Sequence, residues 1–235
     1  MPTVVITGAS QGIGAAIAEA FAAHHGADAR LALLARSRDR LESVAAAARS
    51  LGATALALPC DVTDEGAVAR AAGAVAERWG AADVLVNNAG RFEPGGFLDI
   101  EPAAFRRQIE VNLTSAFLVT RAFLPAMLSA GAGDVLVMGS VASVRGYPGG
   151  AAYGAAKHGL LGLARTLRAE TLDRGIRVMA VLPGATLTPS WDGVDVPPER
   201  LMPATAIAQA VLDATRLPRS AVVEEILIRP QLGDL

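Results

Sequence analysis

The sequence is short of the residues on which several functions depend. A single cysteine, Cys60, stands among 235 residues, so no disulfide forms within the chain and a thiolate metal cluster has nothing to build on. Histidine is scarce too: His24, His25 and His158 form no ligand-like spacing, and no metal site is expected. No run of 18 apolar residues is present, because the alanine-rich stretches are interrupted by Glu, Arg and His, so no membrane span is expected. The first apolar run begins at about Thr3, which leaves no room for a signal peptide, and a cytoplasmic location is the expectation. Charge of one sign is lacking as well. With a net charge of −2, a pI near 5.9 and scattered arginines, the chain has no basic stripe, and nucleic acid is not an expected partner.

Apolar residues are what the chain has in quantity, at 52% against 19% charged, so apolar helix faces and continuous apolar strands must be packed on one another. Short apolar runs recur at "TVVIT" (3–7), "ARLALLA" (29–35), "TALALP" (54–59), "DVLVNN" (83–88), "DVLVMGS" (134–140), "IRVMAVLP" (176–183) and "EEILIRP" (224–230), giving seven candidate strands. Between them lie helix-length segments such as Ile13 to His25 and Asp64 to Trp79, the first with Ile13, Ile17 and Phe21 on one face. Alternation of this kind predicts βαβ units. No linker divides the chain, so residues 1–235 are read as one domain. The expected fold is a doubly wound α/β domain of Rossmann type: a seven-stranded parallel sheet, helices on both faces, and ligand at the carboxyl ends of the strands.

The stretch "TGASQGIG" (7–14) admits two chemistries. "GASQG" fits G-x-S-x-G, the nucleophile elbow of serine hydrolases, which would make Ser10 a nucleophile. Such an elbow follows several strands and takes its acid and histidine from later in the chain. Here at most one strand precedes Ser10, and no histidine lies in a late loop. The other reading needs a strand, a glycine turn and a helix start, and all three are present. Gly8, Gly12 and Gly14 would allow a tight turn, close approach to a pyrophosphate and close packing of helix on strand, with free helix N–H groups facing the anion.

Arg36 closes the second apolar run, 22 residues beyond Gly14, where an NAD-binding fold usually presents a carboxylate to the ribose 2′-OH. The run "LLARSRDRL" has no acid at that point, and an arginine there can pair with a 2′-phosphate. NADP(H) is therefore the favoured cofactor, with NAD(H) left open.

Tyr153 and Lys157 form Y-x-x-x-K in a segment of helical spacing, and residues four apart share a helix face. A free phenol titrates near pH ~10, and a neighbouring ammonium lowers that value. Tyr153 is thus a candidate general acid and base. Taken with "CDVTD" (60–64), "NNAG" (87–90), "VNLTSAF" (111–117), "GSVAS" (139–143) and "PGATLT" (183–188), the glycine turn and "YGAAK" (153–157) make the whole chain resemble a short-chain dehydrogenase/reductase, with the family's motifs in order and spacing.

The resemblance implies roles position by position. Ser10, Gln11, Gly12 and Ile13 belong to the cofactor turn; Asp61 and Val62 lie beside the adenine; Asn88, Ala89 and Gly90 support the cofactor and the central strand. Ser140 hydrogen-bonds the substrate carbonyl, Tyr153 donates the proton, Lys157 holds the nicotinamide ribose and lowers the phenol's pKa, and Asn112 anchors a water leading from the lysine to solvent. Pro183, Gly184, Thr186 and Thr188 border the nicotinamide and its phosphates. Simpler roles compete: Ser140 as a turn cap, Asn112 as a buried structural amide, Thr188 as a cap.

Gln11 stands where many NADPH-using members carry a basic residue, which throws 2′-phosphate recognition onto Arg36 with help from Ser10 or Ser37. The segment "TPSWDGVDVPPERLMP" (188–203) predicts a small lid, with Trp191 as an apolar wall. The tail "SAVVEEILIRPQLGDL" resembles a subgroup that includes bacterial sepiapterin reductases and small carbonyl reductases. The activity implied is NADPH-dependent reduction of a small ketone or dicarbonyl, a pterin side chain among them. The alternatives are reduction of a 3-oxoacyl thioester, with Arg91, Arg106 and Arg107 receiving a phosphopantetheine carrier, and a non-catalytic NADP(H) sensor or scaffold. A homodimer or homotetramer built from the helices holding residues 101–128 and 151–173 is the implied assembly.

Overall fold

The computed structural model describes residues 1–234. Its strands are β1 (Thr3–Thr7), β2 (Arg30–Ala35), β3 (Thr54–Pro59), β4 (Val84–Asn87), β5 (Gly133–Met138), β6 (Ile176–Pro183), β7 (Thr186–Leu187), β8 (Met202–Pro203) and β9 (Glu225–Ile228). Seven pair in parallel in the order β3-β2-β1-β4-β5-β6-β9, while β7 and β8 form a separate short parallel pair. Each apolar run named above forms a strand of the main sheet. β2 ends at Ala35, so Arg36 is the first residue beyond it and not its last.

The helices are α1 (Gly12–His25), α2 (Arg38–Ser50), α3 (Glu65–Trp79), α4 (Pro102–Ile109), α5 (Ser115–Ala130), α6 (Ala151–Thr171) and α7 (Ala204–Thr215). On one face of the sheet, Ile17, Phe21, Leu41, Ala45, Ile207 and Val211 meet Val4, Ile6, Leu31 and Leu33. On the other, Val68, Val119, Phe123, Leu160 and Leu161 meet Val5, Leu34, Leu85 and Val135. Successive strand side chains point to opposite faces, so a strand covered on both sides must be apolar at every position. β1 meets that demand, all five of its residues being buried. Each large aliphatic side chain so buried stabilises the fold by roughly 1.5–3 kcal/mol.

The expected helix over 101–128 is interrupted. α4 and α5 are joined by a π-helical turn, Glu110–Thr114, with Asn112 buried inside it. Asn112 Nδ2 donates to the Gln108 carbonyl at 3.0 Å, the acceptor four residues back that an α-helical N–H would use, and the ladder widens there. The rod Pro102–Ala130 is 29 residues long with an 18-residue window of mean hydropathy 1.4, so by length and composition alone it could cross a membrane, although no uninterrupted apolar run marks it. In this fold Val119, Phe123 and Met127 dock against the sheet, whereas Phe105 and Phe117 face outward.

At the amino ends of the strands, buried Arg177 on β6 makes a two-pronged bond to Asp134 on β5, at 2.8 and 2.6 Å. Its remaining N–H groups donate to the Thr215, Leu217 and Ala221 carbonyls, which ties the connection from α7 to β9 onto the sheet. At the opposite, carboxyl ends, strand order reverses between β1 and β4. Such a reversal opens a crevice, because the connections leaving the two strands run to opposite faces.

Candidate active site

The crevice between β1 and β4 is built by the glycine turn and a buried threonine. Thr7, the last residue of β1, accepts hydrogen bonds at Oγ1 from the Asn88 and Ala89 N–H groups, both at 3.0 Å, and donates to the Val86 carbonyl at 3.3 Å. Asn88 Nδ2 donates back to the Thr7 and Gly8 carbonyls at 2.9 and 3.2 Å. Gly8 and Gly12 have φ of +64° and +57°, the left-handed region that a side chain disfavours. At Gly14 the restriction is contact: a Cβ there would lie 2.5 Å from the Gly8 oxygen and 2.6 Å from Asn88 Nδ2. Gly14→Ala is therefore expected to destabilise the fold by about 1–3 kcal/mol, because the opposing backbone cannot move aside. The check is thermal melting: a midpoint several degrees lower agrees with this packing, and an unchanged midpoint contradicts it.

Ser10 and Ile13 lie in this turn, half-buried, and Gln11 is exposed. No histidine among the described residues hydrogen-bonds Ser10. His25 stacks on Phe21 with ring centroids 6.0 Å apart, and His158 Nδ1 sits 2.9 Å from the Gly154 carbonyl of its own helix. The site does not assemble a serine hydrolase triad.

Arg36 is exposed beyond β2, next to Asp61 beyond β3. Asp61 accepts from the Thr63 N–H at 3.0 Å and the Thr63 hydroxyl at 2.7 Å. Those bonds hold its carboxyl below the usual carboxylate range, with a smaller contribution from the Arg36 guanidinium. Val62 beside it is buried. Gln11, a departure from the basic residue expected there, binds a cation instead: Arg40 Nη1 donates to its Oε1 at 2.7 Å. Arg40 has no assigned role in the sequence, although "RSRDR" places it four residues after Arg36, in the first turn of α2.

Tyr153 and Lys157 share one face of α6, as their spacing required. Lys157 Nζ lies 5.5 Å from the Tyr153 ring centroid and donates to the Met138 carbonyl at the end of β5, at 2.6 Å. Lys157 is buried, and burial brings its pKa down to about 8. The phenol differs from expectation. Burial pushes its pKa up to about 12; the Ser140 hydroxyl opposes this by hydrogen bonding, and Tyr147 adds to it. Loss of hydration is the largest influence on this phenol.

Ser140 takes the capping role considered for it. It caps the 3-10 turn Val141–Ser143, its Oγ accepting from the Ala142 N–H at 3.1 Å, while its own N–H donates to Ser143 Oγ at 3.2 Å. Accepting at Oγ leaves the Ser140 hydroxyl hydrogen free to donate. Asn112 follows the simpler reading in its bonding. Its Oδ1 accepts from the Arg91 N–H at 3.0 Å, and its Nδ2 donates to the Arg91 and Gln108 carbonyls at 2.8 and 3.0 Å. It is still a neighbour of Lys157: a Cβ on Gly90 would lie 2.8 Å from Asn112 Oδ1 and 3.6 Å from Lys157 Nζ.

Pro183 ends β6, and the Gly184 N–H donates to the Ile228 carbonyl at 2.8 Å. Buried Thr186 donates to the Gly184 carbonyl at 2.9 Å. Thr188 precedes the 3-10 turn Pro189–Trp191 and pairs with the Ser190 hydroxyl at 2.6 Å; its Cγ2 is 3.2 Å from where a Gly12 Cβ would be, so this segment reaches the glycine turn. Two aromatic residues without a motif, Phe92 and Tyr147, stand at the phenol: Phe92 meets the Tyr153 ring edge-on at 5.2 Å and Tyr147 at 6.3 Å.

A dinucleotide fits these residues. The three glycines leave a cradle that side chains would fill, at the mouth of the crevice and at the start of α1. Fold and site together define a dinucleotide-binding α/β enzyme. The chain belongs to the short chain dehydrogenase family, whose model matches residues 2–196. It is similar to a sepiapterin reductase of Chlorobaculum tepidum (strain ATCC 49652 / DSM 12025 / NBRC 103806 / TLS), 35% identical over 237 residues that cover 99% of this chain and 97% of the relative. An alcohol dehydrogenase from the archaeon Thermococcus sibiricus, solved with 5-hydroxy-NADP, superposes with a TM-score of 0.93 at 34% identity, covering 100% of this chain and 99% of that one. A variant of the actinorhodin polyketide ketoreductase with NADPH superposes at 0.89 with 29% identity, covering 100% and 98%.

Proposed function

We propose that this protein is an NADPH-dependent carbonyl reductase acting on a small ketone or dicarbonyl, a pterin side chain being one candidate. The observation that carries the reading is the grouping of Ser140, Tyr153 and Lys157 beside the three-glycine cradle at the carboxyl ends of β1, β4 and β5. NADPH, when bound, supplies the hydride. Ser140, with its lone pair engaged by the Ala142 N–H, donates its hydrogen to the substrate oxygen and holds it towards Tyr153. Tyr153 remains protonated at neutral pH and gives up its proton as charge develops on that oxygen. Lys157 holds the ribose hydroxyls, while Asn112 keeps the Arg91 backbone in place beside it.

Arg36, with Arg40 brought in by Gln11, supports a preference for the 2′-phosphate. Arg36→Ala is expected to weaken NADPH binding by roughly 10- to 100-fold, the loss of a charge-assisted contact, with far less effect on NADH. Titration of both cofactors checks it, and equal losses would remove the assignment. Reduction of a 3-oxoacyl thioester is the second reading, favoured by the likeness to a polyketide ketoreductase. Its basic patch is weakened by Glu93, which lies 3.1 Å from Arg91 and 3.9 Å from Arg107. Rates of NADPH and NADH consumption with butane-2,3-dione, a sepiapterin-like dicarbonyl and an acetoacetyl thioester distinguish the two. Binding of NADPH without oxidation on any of them would favour the sensor or scaffold reading. The outward Phe105 and Phe117 support assembly as a homodimer or homotetramer that covers them.

A further inference from the structure

We infer that Phe92 and Tyr147 form an aromatic wall selecting substrates whose reacting carbonyl is attached to a flat, conjugated ring. The inference rests on the carbonyl reductase reading and goes beyond it by naming what accompanies the carbonyl. Phe92 stands edge-on to the Tyr153 ring, with centroids 5.2 Å apart and planes at 75°, and Tyr147 lies 6.3 Å from Phe92 at 49°. The two rings bury each other incompletely. Phe92 is 43% and Tyr147 40% exposed, near the half-buried Tyr153 and the buried Lys157.

The backbone beside Phe92 is tied down, and Tyr147 packs on a glycine. The backbone N–H and carbonyl of Arg91, just before Phe92, are both bound by the side chain of buried Asn112. Tyr147 lies over Gly150, where a Cβ would come within 2.6 Å of its ring, so that residue 150 must be glycine for the ring to sit there. The two loops are joined by the Gly95 N–H donating to the Gly149 carbonyl at 2.9 Å and by a parallel bridge between Gly95 and Gly150. Rings held in advance lose little freedom when a ligand arrives. Their exposed faces reward a π-system beyond the area it covers, by roughly two- to tenfold in affinity per ring, a gain that a saturated ring of equal size does not receive.

The test compares 1-phenylpropane-1,2-dione with 1-cyclohexylpropane-1,2-dione, using butane-2,3-dione as the ringless reference, in the wild type, Phe92→Leu and Tyr147→Leu. Phenyl conjugation alters intrinsic reactivity, so the quantity read is the phenyl-to-cyclohexyl ratio of kcat/KM in wild type divided by that in each variant. The expected value is roughly two- to tenfold for each ring. A quotient near one in both variants, or an equal fall on all three substrates, overturns the wall and leaves the reductase reading intact. Failure of wild type to reduce even butane-2,3-dione would instead count against the reductase reading. In that event, equilibrium binding of 1-phenylethanol and 1-cyclohexylethanol, with NADP present, still decides the wall: tighter phenyl binding that is lost in Phe92→Leu supports it, and equal affinities overturn it.

Discussion

Tyr153→Phe is expected to lower kcat for carbonyl reduction by roughly 10²- to 10⁴-fold, the contribution of a positioned proton donor, while leaving the fold and NADPH binding close to wild type. The substitution removes one oxygen. The ring stays to meet Phe92 and to lie beside Lys157. The direction of the pH dependence follows from the burial that pushes this phenol up to about 12. Below that value the donor form prevails, so proton supply for reduction does not fail between pH 6 and 9. The reverse reaction, alcohol oxidation, needs the phenolate and should gain rate with rising pH throughout the alkaline range. Steady-state kinetics in both directions check this, and an alkaline loss of reduction near neutrality would place the phenol's pKa far below the enclosed value.

Lys157→Met is expected to abolish useful turnover and yet raise stability at pH 7. Burial takes the ammonium from 10.5 to about 8. Between those values the unfolded chain binds a proton that the folded chain releases, so stability rises with pH across the window; below about pH 8 the full penalty of a buried charge is present. That penalty is at most roughly 3 kcal/mol. Loss of the bond to the Met138 carbonyl offsets about 1 kcal/mol of the relief. The variant should melt several degrees higher at pH 7, with the difference closing by about pH 10. A variant that melts lower at pH 7 would show the ammonium to be a net stabiliser. A charged side chain held away from water is the kind of compromise by which a site gives up stability for function.

The sheet was legible because a strand covered on both faces must be apolar at every position, and "TVVIT" or "RLALLA" shows that without any partner being known. The glycine turn and the Tyr153–Lys157 pair were legible for a similar reason, since local spacing sets them side by side. Other features depend on contacts between distant segments. The π-helical turn arises because the Asn112 amide takes the Gln108 carbonyl, and nothing in the helical periodicity of 101–128 signals it. Phe92 and Tyr147 carry no motif, and their meeting depends on the bridge between Gly95 and Gly150. Asp134 and Arg177 each stand at the start of an apolar run, where a solvated charge is the default, and only strand pairing makes them a buried couple. Spacing reveals the neighbouring ammonium and not the burial that pushes the phenol's pKa up.

Hydride from NADPH is expected to reach a carbonyl carbon in this site. The most direct measurement is incubation of the wild-type protein with butane-2,3-dione and NADPH stereospecifically deuterated at C4, once for each face of the ring, followed by mass spectrometry of the product. One of the two cofactors should deliver a single deuterium to the carbinol carbon of the hydroxyketone, in step with NADPH oxidation. Oxidation of NADPH without deuterium at that carbon from either cofactor, or no reaction despite binding, would contradict the account.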